Sequence, residues 1–233
     1  MKILAIGAHP DDVEICAFGT LARCVERGDS VVVCAVTNGN LGHHSIGKEQ
    51  LRAVRLSEAA KSAAVIKASF CTLDIDDMAL DSREGATRLK MLNLVRSVQP
   101  DLIITHSEED YHSDHVETAR LVFWALQNAP LVQVEGESPP LNKAVTLYEM
   151  DMIGGGVFNP LEFVDITQTI EAKLEALSNH MSQLDYLMES AHIDLLNSVR
   201  VLAEFRGLQC RRRYAEGFRL SQRQVALSER LLP

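Results

Sequence analysis

Apolar positions change their spacing repeatedly along the chain. Lys2–Ala8 is a continuous apolar run of strand length. Asp12–Arg27 then sets Val13, Ala17, Leu21 and Val25 four apart, one face of a helix that Gly28 stops. Ser30–Val36 is a β-branched run suited to a strand buried on both faces. Strand, helix and strand in this order make the βαβ unit of a parallel sheet, normally right-handed. The alternation goes on to predict helices over Lys48–Ile66, Arg83–Val98 and Val116–Leu126, and strands over Ser69–Leu73, Asp101–Thr105 and Ala144–Tyr148. Met152–Gly156 reads as a loop, with its three glycines a candidate wall of any nearby pocket. After it Ile170, Leu174, Leu177, Met181, Leu184 and Met188 step by three and four, which predicts one amphipathic helix. A second helix carries Leu195, Val199 and Leu202 and ends near Gly207. The expected fold is α/β: a Rossmann-like, mostly parallel sheet flanked by helices, with a helical C-terminal part. Without repeats or linkers, residues 1–233 are expected to form a single domain.

Composition narrows the class. With 46% hydrophobic and 24% charged residues the chain has globular composition, which excludes collagen-like, coiled-coil and largely disordered readings. The formal net charge is −9, and the only basic run is Arg211–Arg213, so neither nucleic acid nor an anionic membrane is an expected partner. The five cysteines form no C-x-x-C pair and sit among apolar neighbours, as buried thiols do in a reducing compartment. The first apolar run is too short for a signal-peptide core, so a cytoplasmic location is expected.

Chemistry gathers at two strand ends. In open α/β sheets, sites form on the loops that leave the carboxyl ends of strands. The loop after the first strand reads Ala8-His9-Pro10-Asp11-Asp12-Val13-Glu14. It is not a G-x-G-x-x-G dinucleotide fingerprint, and adjacent carboxylates would repel a pyrophosphate. One aspartate could simply cap the following helix. That leaves a histidine, a proline and a second carboxylate unexplained. The loop after Asp101–Thr105 runs His106-Ser107-Glu108-Glu109-Asp110-Tyr111-His112-Ser113-Asp114-His115. If both strands are parallel, His9, Asp11, Asp12, His112, Asp114 and His115 share one rim. Two histidines and a carboxylate, with one position left open, suit catalytic zinc or non-haem Fe²⁺, and the remaining Asp and His suit a base and an acid.

These stretches also carry a resemblance. Ala8–Glu14 matches A-H-P-D-D-x-E, and His112-Ser113-Asp114-His115 matches H-x-D-H. The chain resembles the LmbE-like (PIG-L-type) metal-dependent N-acetylglucosamine deacetylases, which include enzymes of mycothiol and bacillithiol synthesis. Arg55-Leu56-Ser57-Glu58, His180-Met181-Ser182-Gln183 and Tyr214-Ala215-Glu216-Gly217-Phe218 are similar to weaker signatures of that family. The resemblance implies one divalent ion, Zn²⁺ or alternatively Fe²⁺, held by His9, Asp12 and His115. It implies Asp11 as general base, His112 as oxyanion stabiliser and acid, Asp114 as the group that holds and charges His112, and Arg55 as a substrate contact. It further implies a homo-oligomer that hydrolyses the N-acetyl amide of a small amino-sugar conjugate. Ser113 departs from the family's frequent proline, and the tyrosine some relatives carry two residues before H-x-D-H is here Asp110. Hydrolysis of another small amide, or sugar binding without catalysis, are the alternative readings. Outside the motifs, His43 and His44 read as a solvated loop pair, and His180 as a packing or contact residue on the polar flank of a helix.

Overall fold

The computed structural model describes residues 1–154 and 157–223; of the glycine loop, Gly155 and Gly156 lie outside the described residues. The strands are β1 (Lys2–Gly7), β2 (Ser30–Thr37), β3 (Ser69–Ile75), β4 (Leu102–Thr105), β5 (Thr146–Met150), β6 (Glu162–Asp165) and β7 (Ala215–Leu220). The helices are α1 (Asp12–Cys16), α2 (Phe18–Glu26), α3 (Lys48–Ala64), α4 (Gly85–Val98), α5 (Ser113–Asn128), α6 (Ile170–Ser178), α7 (Met181–Ala191) and α8 (Leu195–Cys210). The strands form one sheet in the order β3-β2-β1-β4-β5-β7-β6. The pairs from β3 through β5 are parallel, and β7 runs antiparallel to both β5 and β6.

The two-faced burial expected of Ser30–Val36 holds, with Val31 and Val33 in one apolar cluster and Cys34 and Val36 in another, and β1 divides the same way. Ile3 and Ala5 join one apolar cluster with Leu21, Leu174 and Val199, while Leu4 and Ile6 join a second with Met91, Leu121 and Leu147. Successive side chains of a strand point to opposite faces, so a run of six apolar residues can serve two helical layers at once. All five cysteines are free, and Cys16, Cys24 and Cys34 are buried. No helix among the described residues is long and apolar enough to cross a membrane.

Three elements differ from the pattern-based expectation. The single helix expected over Asp12–Arg27 breaks at Ala17, whose φ of −140° and ψ of −2° separate α1 from α2. The amides this frees at Gly19 and Thr20 donate to the Glu216 carboxylate at 3.0 and 2.7 Å. Glu216 in turn accepts from the buried Lys173 ammonium at 2.5 Å. A carboxylate supplied by β7 therefore caps α2, a stabilising arrangement at a helix N-terminus. The helix expected over Ile170–Met188 likewise divides into α6 and α7, because His180 turns inward at the junction. Finally, the C-terminal part is not purely helical: β6 and β7 complete the sheet, and Ala215–Phe218 of the Tyr214–Phe218 signature lie within β7.

Candidate active site

β1 pairs with β2 on one side and β4 on the other, so the chain leaves in opposite directions on either side of the β1–β4 junction. Loops diverging from such a junction open a crevice at the carboxyl ends of the strands. A cavity of about 360 Å³ lies there, lined by His9, Asp11, Asp12, Arg55, His112 and His115 among others.

Asp12 is the hub. Its Oδ1 lies 3.3 Å from His115 Nε2, and its Oδ2 lies 3.1 Å from His106 Nε2 and 3.4 Å from His9 Nδ1. Oδ2 also accepts the His9 amide at 2.7 Å, which locks the turn. Burial opposes ionisation of Asp12, but His115, His106 and His9 outweigh it and hold the carboxyl well below its usual range. The imidazoles respond in kind. Burial works against a proton on His9, yet Asp12, with Asp114 bonded behind it, raises it to about 9. Burial works against His115 too, and Asp12 and Asp110 raise it to about 10. The carboxylates thus favour a positive charge among these rings. The donor atoms of His9, His112 and His115 all lie within 4.8 Å of one another, and so do those of Asp12, His106 and His115. The residues expected as ligands, His9, Asp12 and His115, span these two overlapping groups. Imidazole nitrogens and a carboxylate oxygen are a donor set suited to zinc or non-haem iron.

Asp11 adjoins this cluster in an unusual backbone state, with φ of 121° and no capping bond from its side chain. A non-glycine residue held there stores strain, as functional sites often do. Its carboxylate pairs with Arg55 Nη2 at 3.2 Å. Burial raises the Asp11 carboxyl to about 6, against the pull of Arg55. Arg55 is itself buried, donating to the Pro10 carbonyl at 2.7 Å and the Gly39 carbonyl at 3.3 Å. Gly39 has φ of 75°, and a Cβ there would stand 2.6 Å from Arg55 Cδ, so the arginine lies directly on glycine backbone. It is thus held by Asp11 and two backbone carbonyls while lining the cavity.

His112 occupies the N-cap of α5, and its Nδ1 accepts the Asp114 amide at 3.2 Å. A neutral ring accepting at Nδ1 carries its proton on Nε2. Burial, then the charges of His9 and His115, lower the His112 pKa. The Asp114 carboxylate lies 3.2 Å from His9 Nε2 and accepts the Met78 amide at 2.8 Å, and its charge also pulls upward on His112. Asp114 therefore touches His112 through its backbone and His9 through its side chain.

Two residues here carry more weight than their sequence signals suggested. Asp110 Oδ1 lies 3.0 Å from His115 Nδ1, the carboxylate–histidine arrangement that orients metal-binding imidazoles. The only hint was its place on the strand-end loop. His106 is buried, accepts the Ala8 amide at 3.0 Å and stacks on His115 with centroids 3.9 Å apart.

The weaker signatures brace this assembly. Ser62 donates to Glu14 at 2.6 Å, and His180 Nε2 lies 3.4 Å from the same carboxylate. His180 is thus fully buried, not on a polar flank, because it turns toward Glu14 of the first motif. Ser182 donates to Glu58 through both its amide and its hydroxyl. His43 and His44 stack on each other at 5.0 Å on the loop after β2.

Comparisons with known proteins agree with this architecture. The family described as PIG-L: GlcNAc-PI de-N-acetylase matches residues 4–126. The diacetylchitobiose deacetylase of Thermococcus kodakarensis is 28% identical over 231 residues, spanning 94% of this chain and 82% of that protein. The solved N,N′-diacetylchitobiose deacetylase of Pyrococcus horikoshii superposes with a TM-score of 0.81 at 26% identity, covering 94% of this chain and 83% of that one. A 4-oxalmesaconate hydratase of Pseudomonas putida is 25% identical over 188 residues, covering 75% and 70%. With its first motif, its second motif and the sheet between them inside the matched region, the chain belongs to the PIG-L family.

Proposed function

We propose that the protein is a hydrolase that removes the acetyl group from the amide of a small N-acetylglucosamine-type substrate, with a divalent ion, zinc in preference to Fe²⁺, bound by His9, Asp12 and His115. The observation that carries this reading is the placement of Asp11: a buried carboxyl, driven upward by that burial, lining the same cavity as the His/Asp cluster. A general base works best with a pKa near the operating pH. When bound, the ion would supply Lewis acidity that polarises a carbonyl and makes water easier to deprotonate.

The chain's own groups divide the remaining work. Asp11 accepts the proton of the attacking water as the new C–O bond forms. His112 donates its Nε2–H to the developing oxyanion as a neutral imidazole, since its Nδ1 is occupied by the Asp114 amide. Asp11 then returns its proton to the amide nitrogen as the C–N bond breaks, giving acetate and the amine. Asp114 orients His9, Asp110 orients His115, and Arg55, which lines the cavity, steadies Asp11 and contacts a substrate hydroxyl.

The hydratase relative offers a second chemistry. Asp11, Asp12, Asp77, Asp110 and Asp151 line the cavity, and Arg55, already paired with Asp11, is its only lysine or arginine among the described residues. His9 and His115, raised to about 9 and about 10, offset those carboxylates, so product analysis rather than charge separates the two chemistries. The deciding experiment measures acetate release from a panel of N-acetylglucosaminides on metal-quantified protein. Release abolished by a chelator, restored by zinc, and lowered about 10²- to 10⁴-fold by Asp11→Asn at unchanged metal content is expected. Absence of acetate from every substrate by the metal-loaded protein would remove the deacetylase reading.

A further inference from the structure

The cavity has a polar floor and an apolar mouth. Leu41, Met78, Tyr111 and Ile153 are 44%, 63%, 56% and 37% exposed, and all four line it. Single exposed apolar side chains are ordinary, but several around one opening mark a binding surface. They come from four different loops, those after β2, β3, β4 and β5, so no single amphipathic segment accounts for them. Met152, Leu187 and Leu195 continue the apolar lining inward.

Two of the four are fixed in place. Met78 stands in the left-handed region with φ of 61°, and its amide donates to the Asp114 carboxylate that also faces His9. Tyr111 lies against Gly154, where any Cβ would collide with its ring, and is edge-on to His112 and His115 with centroids 6.0 and 5.8 Å away. The rim is therefore tied to the same groups that form the floor. Asp77, the nearest carboxylate on the Met78 loop, is already occupied by the Gly39 and Leu41 amides. A second sugar ring at this height would set its hydroxyls against hydrocarbon.

We propose that the substrate carries an apolar aglycone, aryl or short alkyl, next to its N-acetyl amino sugar, seated among Leu41, Met78, Tyr111 and Ile153. The inference rests on the amide-hydrolase reading for its chemistry and on the rim for its specificity. Continuity with the cavity favours a substrate group over a protein partner, which would close the entrance it covered.

The test compares kcat/KM for acetate release from methyl, butyl and phenyl N-acetyl-β-D-glucosaminides and from N,N′-diacetylchitobiose. Alongside it, calorimetry measures binding of the matching methyl and phenyl glucosaminide products. Phenyl over methyl by about tenfold or more is expected, as burial of a ring's apolar area would give. The doubly substituted Leu41→Ser, Met78→Ser protein should bring that ratio close to one; both positions are exposed, and an unchanged thermal midpoint checks that it folds. A wild-type ratio near one, a preference for diacetylchitobiose, or a ratio indifferent to the substitutions overturns the proposal. So does a changed subunit count with the ratio intact, which would make the rim a contact between copies. If no substrate releases acetate, the hydrolase reading falls while the calorimetric ratio still decides the rim: tighter phenyl binding lost on substitution upholds it, and equal binding sinks it.

Discussion

Asp11 and Arg55 form a buried pair, with Oδ2 3.2 Å from Nη2, in which the cation restrains a carboxyl that burial drives upward. Removing the guanidinium removes the strongest downward pull on Asp11, so the carboxyl must rise further. Arg55→Met should therefore move the acidic limb of the kcat/KM profile to higher pH, whereas Arg55→Lys should move it less. A limb that stays in place in Arg55→Met would separate the arginine from the base.

Asp110 faces His115 from behind, at 3.0 Å. Loss of such an orienting carboxylate typically weakens metal affinity about 10- to 100-fold. Asp110→Asn should show that loss in competition with a chromogenic chelator, with a larger loss in His115→Ala. Equal affinity in Asp110→Asn and the unsubstituted protein would show that the contact does not set the ring.

The imidazole pKa values set how the metal-free protein responds to pH. His9 and His115 are raised in the folded state to about 9 and about 10, above the ordinary 6.5 of the unfolded chain. A raised histidine contributes stability that is complete below the unfolded value and is lost as pH climbs through the folded one. Chelator-treated protein should therefore lose thermal stability between about pH 6.5 and 10, and metal-loaded protein should lose much less. Parallel curves for the two forms would contradict this placement of charge.

Lys173 and Glu216 are both buried and meet at 2.5 Å. Truncating one partner leaves the other charge buried alone, at a typical cost of about 3–5 kcal/mol. Glu216→Ala also uncaps α2, so denaturant unfolding should show a loss at or above that range. A change below about 1 kcal/mol would mean that water reaches Lys173.

The legible parts of this protein are those set by neighbours in sequence. β1 and β2 are apolar on both faces because helices cover both, and a continuous apolar run records that directly. His9, Asp12, His112 and His115 stand at strand ends, and parallel pairing of β1 with β4 brings them together. What escaped depends on distant partners. The break at Ala17 answers to Glu216, almost two hundred residues away, and nothing between Asp12 and Arg27 announces it. β7 went unrecognised because its strand-forming residues are few and interrupted by Gly217 and Arg219. Asp114 bonds His9 through its carboxylate and His112 through its amide. Spacing alone does not distinguish those two neighbours.

The separation of α1 from α2 gives this corner of the protein two anchorages that meet at one side chain, Lys173, which donates to Glu216 and to the Ile15 carbonyl of α1. One turn of helix, bearing Asp12 and Glu14, hangs from β1 and is gripped by His115, Ser62 and His180. The longer piece behind it is moored to the opposite end of the chain through Glu216. Through Lys173 a disturbance at that mooring is passed straight to the reactive turn, so the far end of the chain helps to hold the site in alignment.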